Sequence, residues 1–358
     1  MNRPPHIALL AARLDSGGVA DYVSTLGTAL AARGATVSTL ARSDLPWFTA
    51  PVDLLGLNFV SYGWAGHGIL RDRDIGQLRS ACAGRPVALY FHELWIGASR
   101  GEPFKHRVIG ALQRRSLLRL VAALRPAHVL TSNPVYQELL AREGIAASVI
   151  PLPGNLPAPA DSDRCEARAW LVAHDLGGAR PPDLAAVFGT IHPEWDASAA
   201  VIGWLAHLAA HGCQGAVLTL GRHGPAGAAR LAALREKIPS LRLVSAGELP
   251  ASLLAGLLAE CSLGLATSPW TLIGKSGTAA AFLDAGLPVL VPRDEWRLRR
   301  GPTPLPATHP RLRKWTTAPA FDWTSFLAAR SAPSPVLPAV ANAWLNLVSA
   351  RRPPCASS

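Results

Sequence analysis

Ten residues near the middle of the chain, Ile150-Pro-Leu-Pro-Gly-Asn-Leu-Pro-Ala-Pro159, carry four prolines and a glycine. Proline fixes φ and lacks a backbone donor, so such a stretch cannot lie inside a helix or a sheet. It reads as a linker. A chain of 358 residues is also longer than one hydrophobic core usually supports. The expected organisation is a first domain over residues 1–152, a second over 153–320, and a helical tail over 321–358 that packs back toward the first domain.

Strand and helix signals alternate on both sides of the linker. His6 to Ala12 is a short apolar run and Ser16-Gly17-Gly18 a turn; Val23, Leu26 and Leu30 then recur at helical spacing until Gly34 closes the helix. Val37–Leu40, Pro86–Phe91 and Ala127–Thr131 read as strands, the last followed by a helix through Leu139 and Leu140. Beyond the linker, strands are expected at Leu184–Thr190, Ala216–Leu220, Leu241–Ser245, Ser262–Ala266 and Leu287–Val291. Between them fall a helix capped by Asp196 with Val201, Leu205 and Leu208 on its stripe, a Leu-rich helix over Pro250–Glu260, and a short one over Thr278–Asp284. Strands alternating with helices imply parallel sheets, so the predicted class is α/β, with two Rossmann-like domains facing a cleft. Arg293 to Lys314, basic and proline-rich, reads as a surface loop, and Arg351 to Ser358 as a frayed end.

Hydrophobic residues make up 49% and charged residues 16%, a balance that suits a packed core and not a disordered chain. The formal charge of +11 raises the question of nucleic acid. The first 150 residues hold 16 basic and 10 acidic side chains and the remainder 19 and 14, so the charge is spread evenly and no dedicated nucleic-acid arm is expected. A basic surface still favours phosphates or anionic lipid. The five cysteines, Cys82, Cys165, Cys213, Cys261 and Cys355, are scattered without a CxxC pair, which reads as free thiols in a reducing, cytoplasmic setting with no zinc site. The opening apolar run is stopped by Arg13 and Asp15, too early for a membrane span or a signal peptide.

Four places can carry chemistry. Gly17 and Gly18 stand between a strand and a helix start, where backbone N–H groups and the helix dipole can meet an anion or a hydroxyl; the residues do not form the GxGxxG of dinucleotide binding, and a plain tight turn is the other reading. His92 and Glu93 break an apolar pattern at the end of a strand, where ligands of parallel sheets bind; a capping pair is the alternative. Gly274, Lys275, Ser276, Gly277 and Thr278 precede a short helix. They are not a P-loop, since Pro269 stands where its first glycine belongs, yet small residues, an ammonium and two hydroxyls at a helix start suit a diphosphate; an ordinary glycine-rich helix cap is the other reading. His192, at the end of the second domain's first strand, could meet a phosphate or be a plain loop histidine, and Trp270 could lie against a base or sugar or be a core residue.

These features resemble the family-4 glycosyltransferases of the GT-B fold. The resemblance lies in Gly17-Gly18-Val-Ala-Asp-Tyr-Val with Leu30, Phe91-His92-Glu93-Leu94-Trp95, Leu130-Thr-Ser-Asn133 with Tyr136 and Leu140, Pro153-Gly-Asn155, and Gly286-Leu-Pro-Val-Leu290. It implies that Gly17, Gly18 and His92 serve the acceptor and the transferred sugar and that the second domain grips a nucleoside diphosphate. The family's paired glutamates are replaced here by Ile273 and Ala281, and its Arg and Lys diphosphate clamp is not evident. Lys275, Ser276 and Thr278 are expected to take over part of that work.

The resulting expectation is a cytoplasmic glycosyltransferase of polysaccharide or glycoconjugate synthesis. Its substrates would be a nucleoside-diphosphate sugar and an acceptor not identified by sequence, with no cofactor and no metal ion required. The alternatives are a non-catalytic homologue acting as a binding or partner subunit, and an epimerase-like enzyme of nucleotide sugars. Arg107, Arg114 and Arg125, spaced close to whole helical turns, suggest either a weak peripheral contact with anionic lipid at the inner face of the membrane or a solvated helix face.

Overall fold

The computed structural model describes residues 3–317 and 320–349, and the chain divides into two units. Of the described residues, the first unit holds those up to Leu152, Arg297–Leu305 and those from Val336 on; the second holds Pro153–Trp296 and Pro306–Pro335.

The first unit contains β1 (His6–Leu10), α1 (Gly18–Ala31), β2 (Thr36–Leu40), β3 (Leu54–Phe59), α2 (Ser61–Trp64), α3 (Asp72–Cys82), β4 (Val87–Phe91), α4 (Phe104–Leu124), β5 (His128–Thr131), α5 (Pro134–Ala141) and β6 (Ser148–Val149). The strands form one parallel sheet in the order β2-β1-β3-β4-β5-β6. Every residue of β3 and β4 is buried, as expected where helices cover both faces of a parallel sheet. Gly34, at φ +84°, closes α1.

The second unit contains α6 (Asp161–Ala173), β7 (Asp183–Phe188), α7 (Ser198–Ala210), β8 (Gly215–Leu220), α8 (Gly227–Lys237), β9 (Arg242–Gly247), α9 (Ala251–Glu260), β10 (Leu263–Leu265), α10 (Gly277–Asp284), β11 (Val289–Val291), β12 (Leu312–Lys314) and α11 (Trp323–Ala328). Its parallel sheet has the order β12-β11-β10-β7-β8-β9. Alternate residues of each strand feed two cores. Leu184, Ala186 and Leu218 join α6, α9 and α10 on one face, while Ala185, Val187 and Val217 join α7, α8 and α11 on the other.

Two stretches differ from the sequence expectation. Residues 321–335 belong with the second unit, because Trp323 and Phe326 of α11 bury their rings in its core. The last helix, α12 (Leu337–Ser349), instead puts Val340, Ala341 and Trp344 into the core of the first unit. Residues 351–358 lie outside the described residues. The stretch from Arg293 to Lys314 is also more than a surface loop. Its end pairs as β12 with β11, Val289 opposite Leu312 and Val291 opposite Lys314. Its middle bonds to the segment after β4, with Arg100 N–H to the Arg297 carbonyl and Arg299 N–H to that of Ala98, both 2.9 Å.

Candidate functional site

Two groups of residues take shape, one in each unit, each at the C-terminal edge of its sheet.

In the first unit, Gly17 is the residue before α1 and has φ +97°, a conformation that side chains rarely adopt. No side chain caps the helix, and a Cβ on Gly17 or Gly18 would meet nothing within 4 Å. The space in front is a cavity of about 190 Å³ lined by Arg13, Ser16, Gly17, Gly18 and Asn58 among others, far more than one water needs. Open N–H groups at a helix start, facing such a cavity, can bind a hydroxyl or an anion.

Asn58 joins this cavity to His92. It is 1% exposed on β3, and its Oδ1 lies 3.2 Å from Nε2 of His92, just past β4. The carboxamide oxygen can only accept, so the geometry gives Nε2 the proton and Nδ1 the lone pair. The rings of Tyr22 and Tyr90 stand 4.9 and 4.5 Å from that of His92, and burial pushes the imidazole down to about 3, so it is neutral over the physiological range. Glu93 follows it, half-buried. Asn58 was not picked out by sequence reasoning, although a lone asparagine in Leu-Leu-Gly-Leu-Asn-Phe is a legible signal.

In the second unit, the segment before α10 is more regular than a glycine-rich cradle. Trp270–Lys275 form a 3₁₀ turn, in which Trp270 is half-buried against the core. Ser276 is the N-cap of α10; its hydroxyl accepts from Ala279 N–H at 3.3 Å and lies 3.1 Å from Thr278 Oγ1. That hydroxyl therefore serves the helix, which otherwise begins its i→i−4 ladder with Ala280 N–H to the Ser276 carbonyl at 3.0 Å. Gly277 and Thr278 stand ahead of that ladder. The end of β7 comes close: Gly189 has φ +77°, and a Cβ there would lie 2.9 Å from Thr278 Cγ2.

Charged groups from the ends of β7 and β11 gather around His192, with Lys275 of the turn before α10 within electrostatic reach. Arg293, after β11, is 8% exposed; it donates to the Thr267 carbonyl at 2.9 Å and pairs with Glu295, and with Glu194 at 3.4 Å. His192 follows β7 with an exposed surface, yet the protein crowding its other side, then the charge of Arg293 and more weakly Lys275, holds it below its ordinary value against the pull of Glu194 and Glu295. Sequence reasoning had singled out His192 and Lys275 and missed Arg293, Glu194 and Glu295, because Arg293 looked like one more arginine of a basic loop. Ile273 and Ala281 are 4% and 3% exposed and pack inward.

The proposed arginine face is not formed. Arg114 is held by Glu143 through two bonds of 2.7 and 2.6 Å, and Arg125 lies past the end of α4 at φ 46°. Cys82, Cys165, Cys213 and Cys261 are free thiols, while Cys355 lies outside the described residues. Among the described residues, no three His, Cys, Asp or Glu side chains gather as metal ligands would, and no helix is long and apolar enough to cross a membrane.

No family model and no curated protein matches the sequence. Solved structures do match in fold. The catalytic domain of starch synthase IV from Arabidopsis thaliana, bound to ADP and acarbose, has a TM-score of 0.55 at 11% identity, with 97% of this chain and 99% of that chain covered. HepE from Anabaena in complex with UDP has a TM-score of 0.53 at 13% identity, with 96% of each chain covered. A glycosyltransferase from Rickettsia africae has a TM-score of 0.50 at 10% identity, with 98% of this chain and 95% of that chain covered. The chain has their α/β fold: two six-stranded parallel sheets flanked by helices, as in GT-B glycosyltransferases.

Proposed function

We propose that this chain transfers a sugar from a nucleoside-diphosphate sugar to an acceptor hydroxyl, in the making of a polysaccharide or glycoconjugate. The observation that carries this reading is the meeting of His192, Lys275 and Arg293 around the start of α10. A diphosphate leaving group gains negative charge as the sugar departs, and the cations Lys275 and Arg293 with a helix N-terminus stabilise that charge without reorganising, while the imidazole of His192, held below its ordinary value, contributes as a neutral hydrogen-bond donor. Glu194 and Glu295, beside them, are carboxylates suited to accept from ribose or sugar hydroxyls, which Ile273 and Ala281 cannot do. In the first unit, the cavity before Gly17 and Gly18 would take acceptor or sugar hydroxyls. An imidazole pushed as low as that of His92 is a weak base. Its role is therefore orientation by hydrogen bonding, which leaves Glu93, the other residue of the pair, as the candidate for proton transfer.

A second reading is a binding subunit without turnover, favoured by the burial of two apolar residues where the resembling family carries glutamates. Titration calorimetry with nucleoside diphosphates and their sugar conjugates, followed by an assay of donor hydrolysis and transfer, separates the two. Tight binding with turnover supports the transferase. Tight binding without hydrolysis or transfer supports the subunit. Absence of binding by the folded protein overturns both.

A further inference from the structure

Helix α4 carries an exposed apolar ridge. Phe104 is 74% exposed, Val108 48% and Leu112 48%, and their spacing of four residues stacks them on one face. Large apolar side chains gathered in this way are unusual on a water-facing helix. The other face is ordinary: Gly110, Gln113, Leu117 and Leu120 are buried against the unit.

The charge that α4 itself carries has one sign. The 21 residues of α4 include Lys105, Arg107, Arg114, Arg115 and Arg119 and no Asp or Glu. Arg114 and Arg119 are paired with Glu143 and Asp72. Among the described residues, no carboxylate lies within ion-pair distance of Lys105, Arg107 or Arg115. The nearest acid along the chain, Glu102, accepts from the N–H groups of Gly97 at 2.5 Å and Ser99 at 3.0 Å and lies 3.5 Å from Nδ1 of His106, so it is engaged away from Lys105 and Arg107. Lys105 and Arg107 also stand in the first turn, where the helix dipole disfavours cations. Placing them there works against the helix in isolation and is relieved by a negative surface in front of it.

We infer that α4 seats the protein on an anionic lipid surface, with Phe104, Val108 and Leu112 entering the headgroup boundary, Lys105 and Arg107 reaching the phosphates from its flanks and Arg115 from its far end. An apolar ridge edged by cations on long flexible stems is what an interfacial helix requires. A nucleic acid would use the cations and leave the ridge wet. A second copy of the same face would set like charges against each other. This contact replaces the three-arginine face expected from spacing alone, and it is independent of sugar transfer.

The test is flotation of the full chain with vesicles of phosphatidylcholine alone and of an equimolar mixture with phosphatidylglycerol, at low and high salt, read as bound protein without any turnover. The protein is expected to float with the mixed vesicles at low salt and to remain behind with the neutral ones. Phe104→Ala with Leu112→Ala should weaken partition about tenfold or more. Lys105→Gln, Arg107→Gln and Arg115→Gln together should weaken it about a hundredfold, at roughly fivefold for each basic side chain. All five positions are exposed, and circular dichroism of the variants confirms that they are folded. Equal binding to the two vesicle types, no binding to either, unchanged binding in both variants, or binding of a single-stranded oligonucleotide in place of the vesicles overturns the assignment.

Discussion

The indole N–H of Trp344 donates to the hydroxyl of Tyr22 across 3.0 Å, with both side chains buried. This bond ties α12 to α1, and the Tyr22 ring stands in turn edge-on to that of His92. The end of the described chain thus helps to hold the ring beside the proposed acceptor site. Trp344→Ala empties the volume of the largest side chain in this core and should destabilise the first unit by about 3–5 kcal/mol, read as a lower midpoint in urea denaturation.

Gly56 faces the same indole. A Cβ at this position would lie 2.5 Å from Trp344 Cζ3, so Gly56→Ala should cost about 1–3 kcal/mol through overpacking. In a Trp344→Leu background the clash is removed. The double variant should therefore be more stable than the sum of the single effects predicts, which a double-mutant cycle measures directly.

His92 should make stability depend on pH. The folded protein holds this imidazole at about 3, against 6.5 for the free group. Between those values the unfolded chain binds a proton that the folded one does not. Stability is then full above the free value and falls as the pH drops, by up to about 1.4 kcal/mol per pH unit. His92→Gln should flatten that part of the profile. In the wild type, the nitrogen chemical shifts of His92 should report a proton on Nε2; a proton on Nδ1 would contradict the bond to Asn58.

Lys275 and Ser276 are neighbours with different expected phenotypes. Lys275→Ala removes a charge-assisted contact to the ligand and should weaken binding of the best nucleoside-diphosphate ligand about ten- to a hundredfold. Ser276→Ala removes the N-cap of α10 and should lower stability by about 1 kcal/mol with a smaller effect on binding. Calorimetry and thermal unfolding of the same two proteins check both statements.

The α/β class was legible because buried parallel strands such as Val87–Phe91 are apolar runs and the helices between them announce themselves by spacing. Local devices were legible for the same reason: Gly34 at a helix end and the small residues before α10 act within one or two turns of chain. What lay outside sequence reasoning depends on distant partners. Strand β3 was not recognised; its Gly56 makes room for Trp344 and its Asn58 meets His92, and both partners come from elsewhere in the chain. Arg293 looked like a loop residue, yet it is buried among Thr267, Glu194 and Glu295, which come from the ends of two other strands and from the residues just after it. Likewise, the two halves of the expected tail went to different units, because Trp323 and Phe326 fit one core and Trp344 the other. The sequence by itself determined the kind of elements and their order, since backbone propensity and periodicity are local. Only the tertiary structure decided which side chains share a site, since hydrogen bonding and packing select partners by position in space.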